Sequence, residues 1–260
     1  MRQKKGRLMF LLQSERLNSI PSITHGFFGP DDCNQLTDNV SFKTGSVEDA
    51  RNARKRACDL IGVESAHLTH VYQEHSDVLF PVTQAQRGAG ANGPDGQVGT
   101  GDGLMTADPE TPLSILVADC LPLFFASKDG KAIALAHAGW RGTLKAIAKK
   151  TIERMQQEYG TKPEDINVWI GPGISYDHFE VGEDTWAYFM DGWCQYHDCF
   201  DTKSRCIDLK GLNIYQLIEA GVPEDNIEES EECTVGDERF YSYRRQGEGK
   251  GHNLAVIMKK

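Results

Sequence analysis

The chain has 260 residues, with 28 Lys and Arg against 38 Asp and Glu and a formal net charge of −10 at pH 7. That charge argues against a nucleic-acid partner, because affinity for phosphates depends on a basic face. Small-molecule substrates are therefore expected. Residues 1–7 carry four cations, but the apolar run LMFLL that follows is too short for a signal-peptide core or a membrane span. We expect a cytoplasmic protein with no membrane partner.

Seven cysteines are scattered along the chain without a compact framework. An odd number in this pattern is typical of free thiols in a reducing compartment. A disulfide between Cys194 and Cys199 is the less favoured alternative. Composition does not determine the oligomeric state.

Short apolar runs bounded by turn residues are interspersed with longer helical patterns. We assign residues 1–13 to an N-terminal extension and 14–260 to one catalytic domain. The predicted elements, in chain order, are strand ITHGFF, helix 47–61, strands HLTHVY, VLFPVT, SILVA, PLFFA and AIALAHA, helix 143–158, strand INVWIG, helices 183–191 and 209–220, and strand NLAVIM. Because strands occur both in adjacent pairs and separated by helices, we predict an α+β fold whose mixed β-sheet core is flanked by helices.

Glycines are concentrated in residues 87–103, RGAGANGPDGQVGTGDG. This segment contains G-x-G-x-x-G at Gly88, Gly90 and Gly93, but the dinucleotide fingerprint needs a helix to open at its glycines, and Pro94 follows instead. We predict a mobile surface loop, with a lid over a site as the second hypothesis.

Two apolar runs place a cysteine and a histidine near their ends. Cys120 follows SILVAD, where a strand leaves the sheet, and His137 comes near the end of AIALAHA. The two strands are joined through PLFFA and the turn SKDGK, which can bring both ends to the same edge. Ligand groups usually gather at such edges, so we predict catalytic roles for both residues.

A third candidate, His75 in VYQEHSD, also follows a strand-like run. One Cys and two His suit zinc or copper, and three protein ligands leave a position open for water or substrate. We predict a catalytic metal site of His75, Cys120 and His137, with zinc favoured over copper. The gaps of 45 and 17 residues match no zinc-finger spacing, so a buried apolar cysteine and ordinary histidines remain the alternative.

The segment after His137 adds a candidate anion site. Thr143 is a suitable N-cap for the following helix, and Arg141 offers a bidentate fork for phosphate or carboxylate.

Asp119 is a candidate catalytic residue that either orients His137 or caps a turn. Glu74 is expected to face solvent, because it alternates with its neighbour along an extended run.

Motifs surround the three donors and continue to the C-terminus. QEHS, VADCLPLFF and AHAGWRGT contain the donors, and ITHGFF, GPGISYDHFEVG, DLKGLNIYQLIEAGV and CTVGDERFYSYRR lie outside them. These segments resemble the laccase-domain family, whose members are also called multicopper polyphenol oxidases or peptidoglycan editing factors. The resemblance covers residue 14 to the C-terminus.

This resemblance implies a single-domain fold with a mixed β-core, a zinc bound by the three predicted donors, and purine nucleoside phosphorylase activity. It also implies that methylthioadenosine is a substrate and that the protein deaminates adenosine. By the same resemblance, His25 of H-G-F, Arg141 of G-W-R-G and Arg54 of the first long helix would approach the nucleoside or the phosphate.

The chain departs from the family pattern in its early part. Asn39 matches the Asn of the family's N-L-G and is a candidate substrate-binding residue, but Ser41 replaces the glycine. Residues 30–33, PDDC, replace an arginine and a G-G-V-S turn, and Ala53 stands where Asn is frequent. We expect these changes to alter the early substrate loop more than the metal site.

Three other functions remain open from the residues. Cys120 as nucleophile and His137 as base would suit a cysteine hydrolase, or amidase, acting on peptidoglycan precursors. A polyphenol oxidase is disfavoured because copper oxidases that reduce oxygen rely on repeated H-x-H pairs, and the chain has none. A structural zinc would need a fourth ligand, for which His178 is the candidate.

Overall fold

A computed structural model describes residues 9–30 and 38–260. Cys33, most of the PDDC segment and most of the proposed N-terminal extension lie outside the described residues. The strands are β1 Phe10–Leu12, β2 Ile23–Gly29, β3 Thr69–His70, β4 Leu79–Pro81, β5 Gly103–Thr106, β6 Leu113–Val117, β7 Leu121–Ser127, β8 Ile133–Ala138, β9 Ile166–Ile170, β10 Phe200–Asp201, β11 Cys206–Ile207, β12 Ile227–Glu229 and β13 Asn253–Lys259. The helices are α1 Glu15–Asn18, α2 Val47–Asp59, α3 Trp140–Leu144, α4 Ile147–Tyr159, α5 Glu183–Trp193, α6 Leu209–Glu219 and α7 Tyr243–Gln246.

Two mixed sheets form the centre of the fold. One has the order β1-β2-β13-β6-β3 and the other the order β12-β9-β7-β8-β5-β4, with β10 and β11 forming a separate two-stranded ribbon. Parallel pairing occurs between β3 and β6, β4 and β5, and β9 and β12. The predicted α+β fold with a mixed β-core is confirmed.

The period-2 pattern of the strands divides the apolar residues between layers. In β2, Phe27 packs between the two sheets, whereas Phe28 faces the layer that contains Ala53 and Ala57 of α2. The other face of the six-stranded sheet packs against α4 and α6, with Ile152 among the contacts. The order of layers is therefore helix, sheet, sheet, helix.

The helix predicted over 143–158 is two helices in the structure. Ala146 has a φ of 59° and separates α3 from α4. This left-handed conformation ends α3 and lets α4 turn its apolar stripe, with Ile152 and Met155, onto the sheet. Within the described residues, no helix is both long and apolar enough to cross a bilayer.

The chain passes from one sheet to the other between β6 and β7. Asp119, with a φ of 85°, lies at this crossing, and Cys120 comes directly before β7. Antiparallel pairing of β7 with β8 sets Pro122 opposite His137. The hairpin therefore brings Cys120 and His137 to one end of the sheet, as predicted. The six described cysteines, Cys194 and Cys199 included, are free thiols.

Candidate metal centre and substrate cavity

The three predicted metal ligands lie together at the sheet crossing. The ligand atoms of His75, Cys120 and His137 are all within 4.8 Å of one another, and the Cys120 Sγ is 3.7 Å from the His75 Nε2. A Cβ atom at position 139 would lie 2.8 Å from the His75 ring and 2.9 Å from the Cys120 Sγ. Gly139 therefore permits the close approach of the donors.

Asp102 orients His137. The His137 Nδ1 donates to the Asp102 Oδ1 over 2.7 Å, and both side chains are buried. This bond leaves the Nε2 available to the centre, and a carboxylate partner of this kind is usual for a metal-ligating histidine. The pairing of β5 with β8 explains the contact, because Asp102 directly precedes β5 and its carbonyl also accepts from the His137 backbone N–H over 2.7 Å.

The same carboxylate shapes the loop that carries His75. The His75 backbone N–H donates to the Asp102 Oδ1 over 3.0 Å, and the Ser76 hydroxyl donates to Oδ2 over 2.8 Å. His75 has a left-handed φ of 63°, which costs a non-glycine residue about 1–2 kcal/mol. The bonds to Asp102 offset this cost, so one carboxylate positions two of the three donors.

Charges within the centre stabilise one another against the effect of burial. Burial raises the pKa of the Cys120 thiol, but the neighbouring His137 and His75 outweigh it and lower that pKa. Burial lowers the pKa of His137, but the Cys120 thiolate and Asp102 outweigh it and raise that pKa. Burial also raises the pKa of Asp102. The hydrogen bonds that His137 and Ser76 donate outweigh this effect and lower that pKa to about 2. The thiolate, the form that binds metals, is therefore favoured.

These donors fit a metal ion with an open coordination position. One thiolate and two imidazoles suit zinc or copper, and among residues 9–30 and 38–260 no other group of three such side chains is close enough to share an ion. His178, the candidate fourth ligand, lies elsewhere. Its Nδ1 is 2.9 Å from the Ser175 Oγ and 3.5 Å from the Cys233 Sγ. The structural-zinc hypothesis therefore has no fourth ligand at the centre in the described part of the chain.

The centre opens into a cavity of about 1000 Å³, within the size range of small-molecule sites. Aromatic and cationic side chains share its lining with the three donors. The aromatic ones include Phe42, Tyr72, Trp140 and Tyr243, and the cationic ones are Lys43, Arg54, Arg141 and Arg244. Aromatic faces stack on flat rings, and guanidinium groups bind phosphate. The cavity therefore offers contacts for a planar base and for an anion beside the metal centre.

Arg141 lines the cavity and stacks on Trp140, with its Cζ 4.1 Å from the ring centroid. The prediction that Thr143 caps this helix is wrong. The N-cap is Gly139, and Thr143 lies buried inside α3, where its Oγ1 accepts from Asn213 over 3.0 Å. Because α3 has only five residues, the Arg141 side chain, and not the helix start, remains the candidate anion-binding group.

Arg54 lies in the cavity wall and is 3% exposed. Its Nε donates to the Val40 carbonyl over 2.8 Å, and its Nη1 donates to the Gly90 and Ala91 carbonyls over 3.1 Å. Burial lowers its pKa to about 9, so the group stays cationic at neutral pH. Arg54 therefore joins two loops of the cavity and keeps a positive charge there.

His25 lies in the core and is not among the described residues that line the cavity. Its Nε2 accepts from the Ser14 backbone N–H over 2.8 Å, and its ring packs edge to face on Trp169 with centroids 5.6 Å apart. Burial lowers its pKa to about 4. The structure does not bring His25 to the cavity, because the alternation of β2 turns this side chain between the sheets.

Asn39 is buried and bonded to backbone groups. Its Nδ2 donates to the carbonyls of Ser41 and Thr44 over 2.9 and 2.6 Å, and its Oδ1 accepts from the N–H groups of Ser41 and His252 over 2.9 and 3.1 Å. These bonds occupy both ends of the amide, and Asn39 is not among the described residues that line the cavity. Asn39 instead shapes the loop that presents Phe42 to the cavity.

Asp119 lines the cavity but does not orient His137. Its Oδ1 accepts from the Thr234 hydroxyl and its Oδ2 from the Arg244 backbone N–H, both over 2.6 Å. The interpretation that it orients the imidazole is wrong, because Asp102 takes that position. Asp119 ties the sheet crossing to the C-terminal segment. Glu74 is exposed, as predicted.

The glycine-dense segment forms one wall of the cavity. Gly90, Pro94, Asp95 and Gln97 line it, and Arg51 joins Arg54 in holding the segment by donating to the Asn92 carbonyl over 2.8 Å. Sequence reasoning missed Asp102 at the end of this segment. The available signal was an acidic residue directly before a strand, which is too common to identify a site.

The fold and the site define a class of protein: a helix-covered α+β domain of two mixed sheets, with an open Cys–His centre beside a small-molecule cavity. Residues 34–260 match the family described as multi-copper polyphenol oxidoreductase laccase, and the chain belongs to that family. The resemblance seen in the motifs is thereby confirmed.

Several relatives carry names or structures. A Bacteroides thetaiotaomicron protein named purine nucleoside phosphorylase is 39% identical over 162 residues, which are 60% of each chain. The adenosine deaminase RL5 of an unknown prokaryotic organism is 30% identical over 214 residues, 80% of this chain and 81% of the relative. The crystal structure of the Bacillus licheniformis hypothetical protein YfiH has a TM-score of 0.87 and 28% identity over 98% of both chains. The chain thus spans 60% of the length of the Bacteroides relative. The relatives' names favour neither the cysteine hydrolase nor the polyphenol oxidase hypothesis.

Proposed function

We propose that the chain is a zinc-dependent purine nucleoside phosphorylase acting on adenosine, inosine and methylthioadenosine, and that the same site deaminates adenosine. The observation that carries this proposal is the open His75, Cys120 and His137 centre inside a cavity with aromatic and cationic walls. Relatives named purine nucleoside phosphorylase and adenosine deaminase support it. The free thiols of the described residues fit the cytoplasmic location proposed for it, and the lining residues all fall within the proposed catalytic domain, 14–260.

The cavity supplies the contacts that phosphorolysis needs. A phosphate oxygen bonds to C1′ of the ribose while the C1′–N9 bond breaks. The electron pair of the C1′–N9 bond leaves with the base, and the base takes up a proton. Arg141 and the cationic Arg54 attract the phosphate, and the aromatic walls stack on the purine. The products are the free base and ribose 1-phosphate.

Deamination uses the same donors with a different substrate atom beside them. Water adds to C6 of adenosine and ammonia leaves, which produces inosine. A zinc ion bound by the three donors would supply Lewis-acid activation of water or of the leaving group. Asp102 keeps the His137 ring oriented during either reaction, and Asp119 holds the crossing that carries Cys120.

The direct test is chromatography of zinc-loaded protein incubated with adenosine, with and without phosphate. Adenine with ribose 1-phosphate is expected when phosphate is present, and inosine when it is absent. Cys120→Ala should abolish both products, whereas Cys194→Ala, which alters an exposed cysteine, should change neither. Unchanged turnover in folded Cys120→Ala, or unchanged adenosine with zinc-loaded wild type, would contradict the proposal.

A further inference from the structure

His252 lies at the cavity wall close to the metal centre, yet the chemistry above does not use it. It directly precedes β13, whose Asn253 pairs with Val117 at the end of β6. The chain leaves β6 there and reaches Cys120 three residues later. His252 lines the cavity, and His137 is near enough to influence its charge.

The two ring nitrogens of His252 have different surroundings. Nδ1 is fully buried and has no hydrogen-bond partner in the described part of the chain, so the Nε2 edge is the one that can reach the cavity. Orphaned buried N–H groups are rare in proteins. The favoured tautomer therefore leaves Nδ1 unprotonated and presents Nε2–H as a donor.

His252 is a neutral group in a cavity whose wall also carries four cationic side chains, Lys43, Arg54, Arg141 and Arg244. Burial lowers its pKa to about 4, and nearby Lys43 and His137 act in the same direction. A neutral N–H donor suits an uncharged oxygen of the ligand, whereas a phosphate is better held by the guanidinium groups of Arg54 and Arg141.

The position of His252 is held by the loop on the other side of the cavity wall. Asn39 accepts from its backbone N–H over 3.1 Å and also bonds Ser41 and Thr44. Between those two residues, Phe42 packs against the Arg54 guanidinium, whose Cζ is 3.9 Å from the ring centroid. Asn39 is thus a positioning residue that couples an aromatic wall to His252.

We propose that His252 donates a hydrogen bond from Nε2 to the ribose 2′-hydroxyl of a bound purine nucleoside and so selects ribonucleosides over 2′-deoxyribonucleosides. The inference rests on the proposed function. The metal centre is proposed to activate the leaving group, which places the reacting C1′ close to it, and the uncharged oxygen on the next carbon is the 2′-hydroxyl. His252 is a neutral donor in the wall of the cavity that holds that centre, and its buried Nδ1 without a partner turns the Nε2 edge toward the cavity.

The test compares KM values for adenosine and 2′-deoxyadenosine in zinc-loaded wild type and His252→Leu. KM is used because removing the 2′-hydroxyl also makes the glycosidic bond intrinsically more reactive. Wild type should favour adenosine roughly tenfold, as expected for one hydrogen bond. His252→Leu should raise the adenosine KM by about that factor and bring the ratio to about 1 with little change in kcat. His252→Gln, which keeps an N–H donor, should restore part of the preference.

Controls separate this inference from folding effects and from the proposed function. His197→Leu, which alters an exposed histidine outside the cavity lining, should keep the wild-type ratio, and melting temperature and zinc content should match in all variants. A preserved ratio in His252→Leu overturns the inference alone. The inference also fails if His252→Leu changes the KM ratio of adenosine to 7-deazaadenosine but not the ratio of adenosine to 2′-deoxyadenosine. That result would place the contact on the base. A wild-type chain that neither converts nor binds adenosine overturns the proposed function as well.

Discussion

His137 and His25 are both buried, with 3% and 0% of their surface exposed, but they have opposite electrostatic environments. His137 lies at the sheet crossing, where Cys120 and Asp102 raise its pKa against the effect of burial. His25 lies between the sheets, where burial lowers its pKa to about 4 and its Nε2 accepts a backbone N–H. Burial alone suppresses charge on an imidazole, and an adjacent carboxylate and thiolate reverse that effect.

The largest expected effect comes from His137→Gln. Loss of a donor should release the metal and reduce activity by more than the roughly 10–100-fold expected for losing an outer hydrogen-bond partner. Zinc content by atomic absorption and turnover of adenosine provide the measurement. His197→Gln is the matched control. A folded His137→Gln variant that keeps stoichiometric zinc would contradict the assignment of this donor.

Asp102→Asn should have the next largest effect. An amide keeps the shape of the side chain but removes the negative charge that stabilises the His137 imidazole and fixes its tautomer. Zinc affinity should fall by roughly 10–100-fold, as measured by competition with a chromogenic chelator. Asp59→Asn, which alters an exposed carboxylate on α2, should leave the affinity unchanged. Equal zinc affinities for the two variants would contradict the positioning role of Asp102.

Substitution of His25 should change the acid stability of the fold rather than substrate binding. Its folded pKa of about 4 lies below the usual 6.5, so the unfolded chain binds more protons between these values and stability falls as the pH decreases through this window. From pH 7 to pH 5 this one group should remove about 2 kcal/mol. Urea unfolding at pH 7 and pH 5 measures the free energy of unfolding, and His25→Gln should lose correspondingly less of it than wild type between these pH values. If His25→Gln raises the adenosine KM and leaves the pH dependence of the unfolding free energy unchanged, His25 contacts substrate instead.

Much of the site could be predicted because it depends on local geometry. Cys120 and His137 flank a β-hairpin, and antiparallel pairing of adjacent strands necessarily brings its two ends together. The motif around His75 was equally visible. The helix break at Ala146 was not, because no glycine or proline marks it.

The errors involve contacts between segments that are distant in the chain. Asp102 meets His137 across 35 residues through the pairing of β5 with β8, whereas Asp119, one residue from Cys120, binds Thr234 and Arg244 instead. Proximity in sequence made Asp119 one candidate for orienting His137, but Asp102 holds that position in the structure. Asn39, a candidate substrate residue by resemblance to the family, bonds the backbone of His252, which is 213 residues away in the chain.

The sequence by itself determined the fold class, the family and the three candidate donor residues, because strand periodicity, hairpin connection and donor chemistry are properties of short segments. Only the tertiary structure decided which carboxylate serves the centre, which histidine is core and which faces the cavity. Those outcomes depend on the stacking of two sheets, which sets burial and therefore charge for side chains that no local pattern distinguishes.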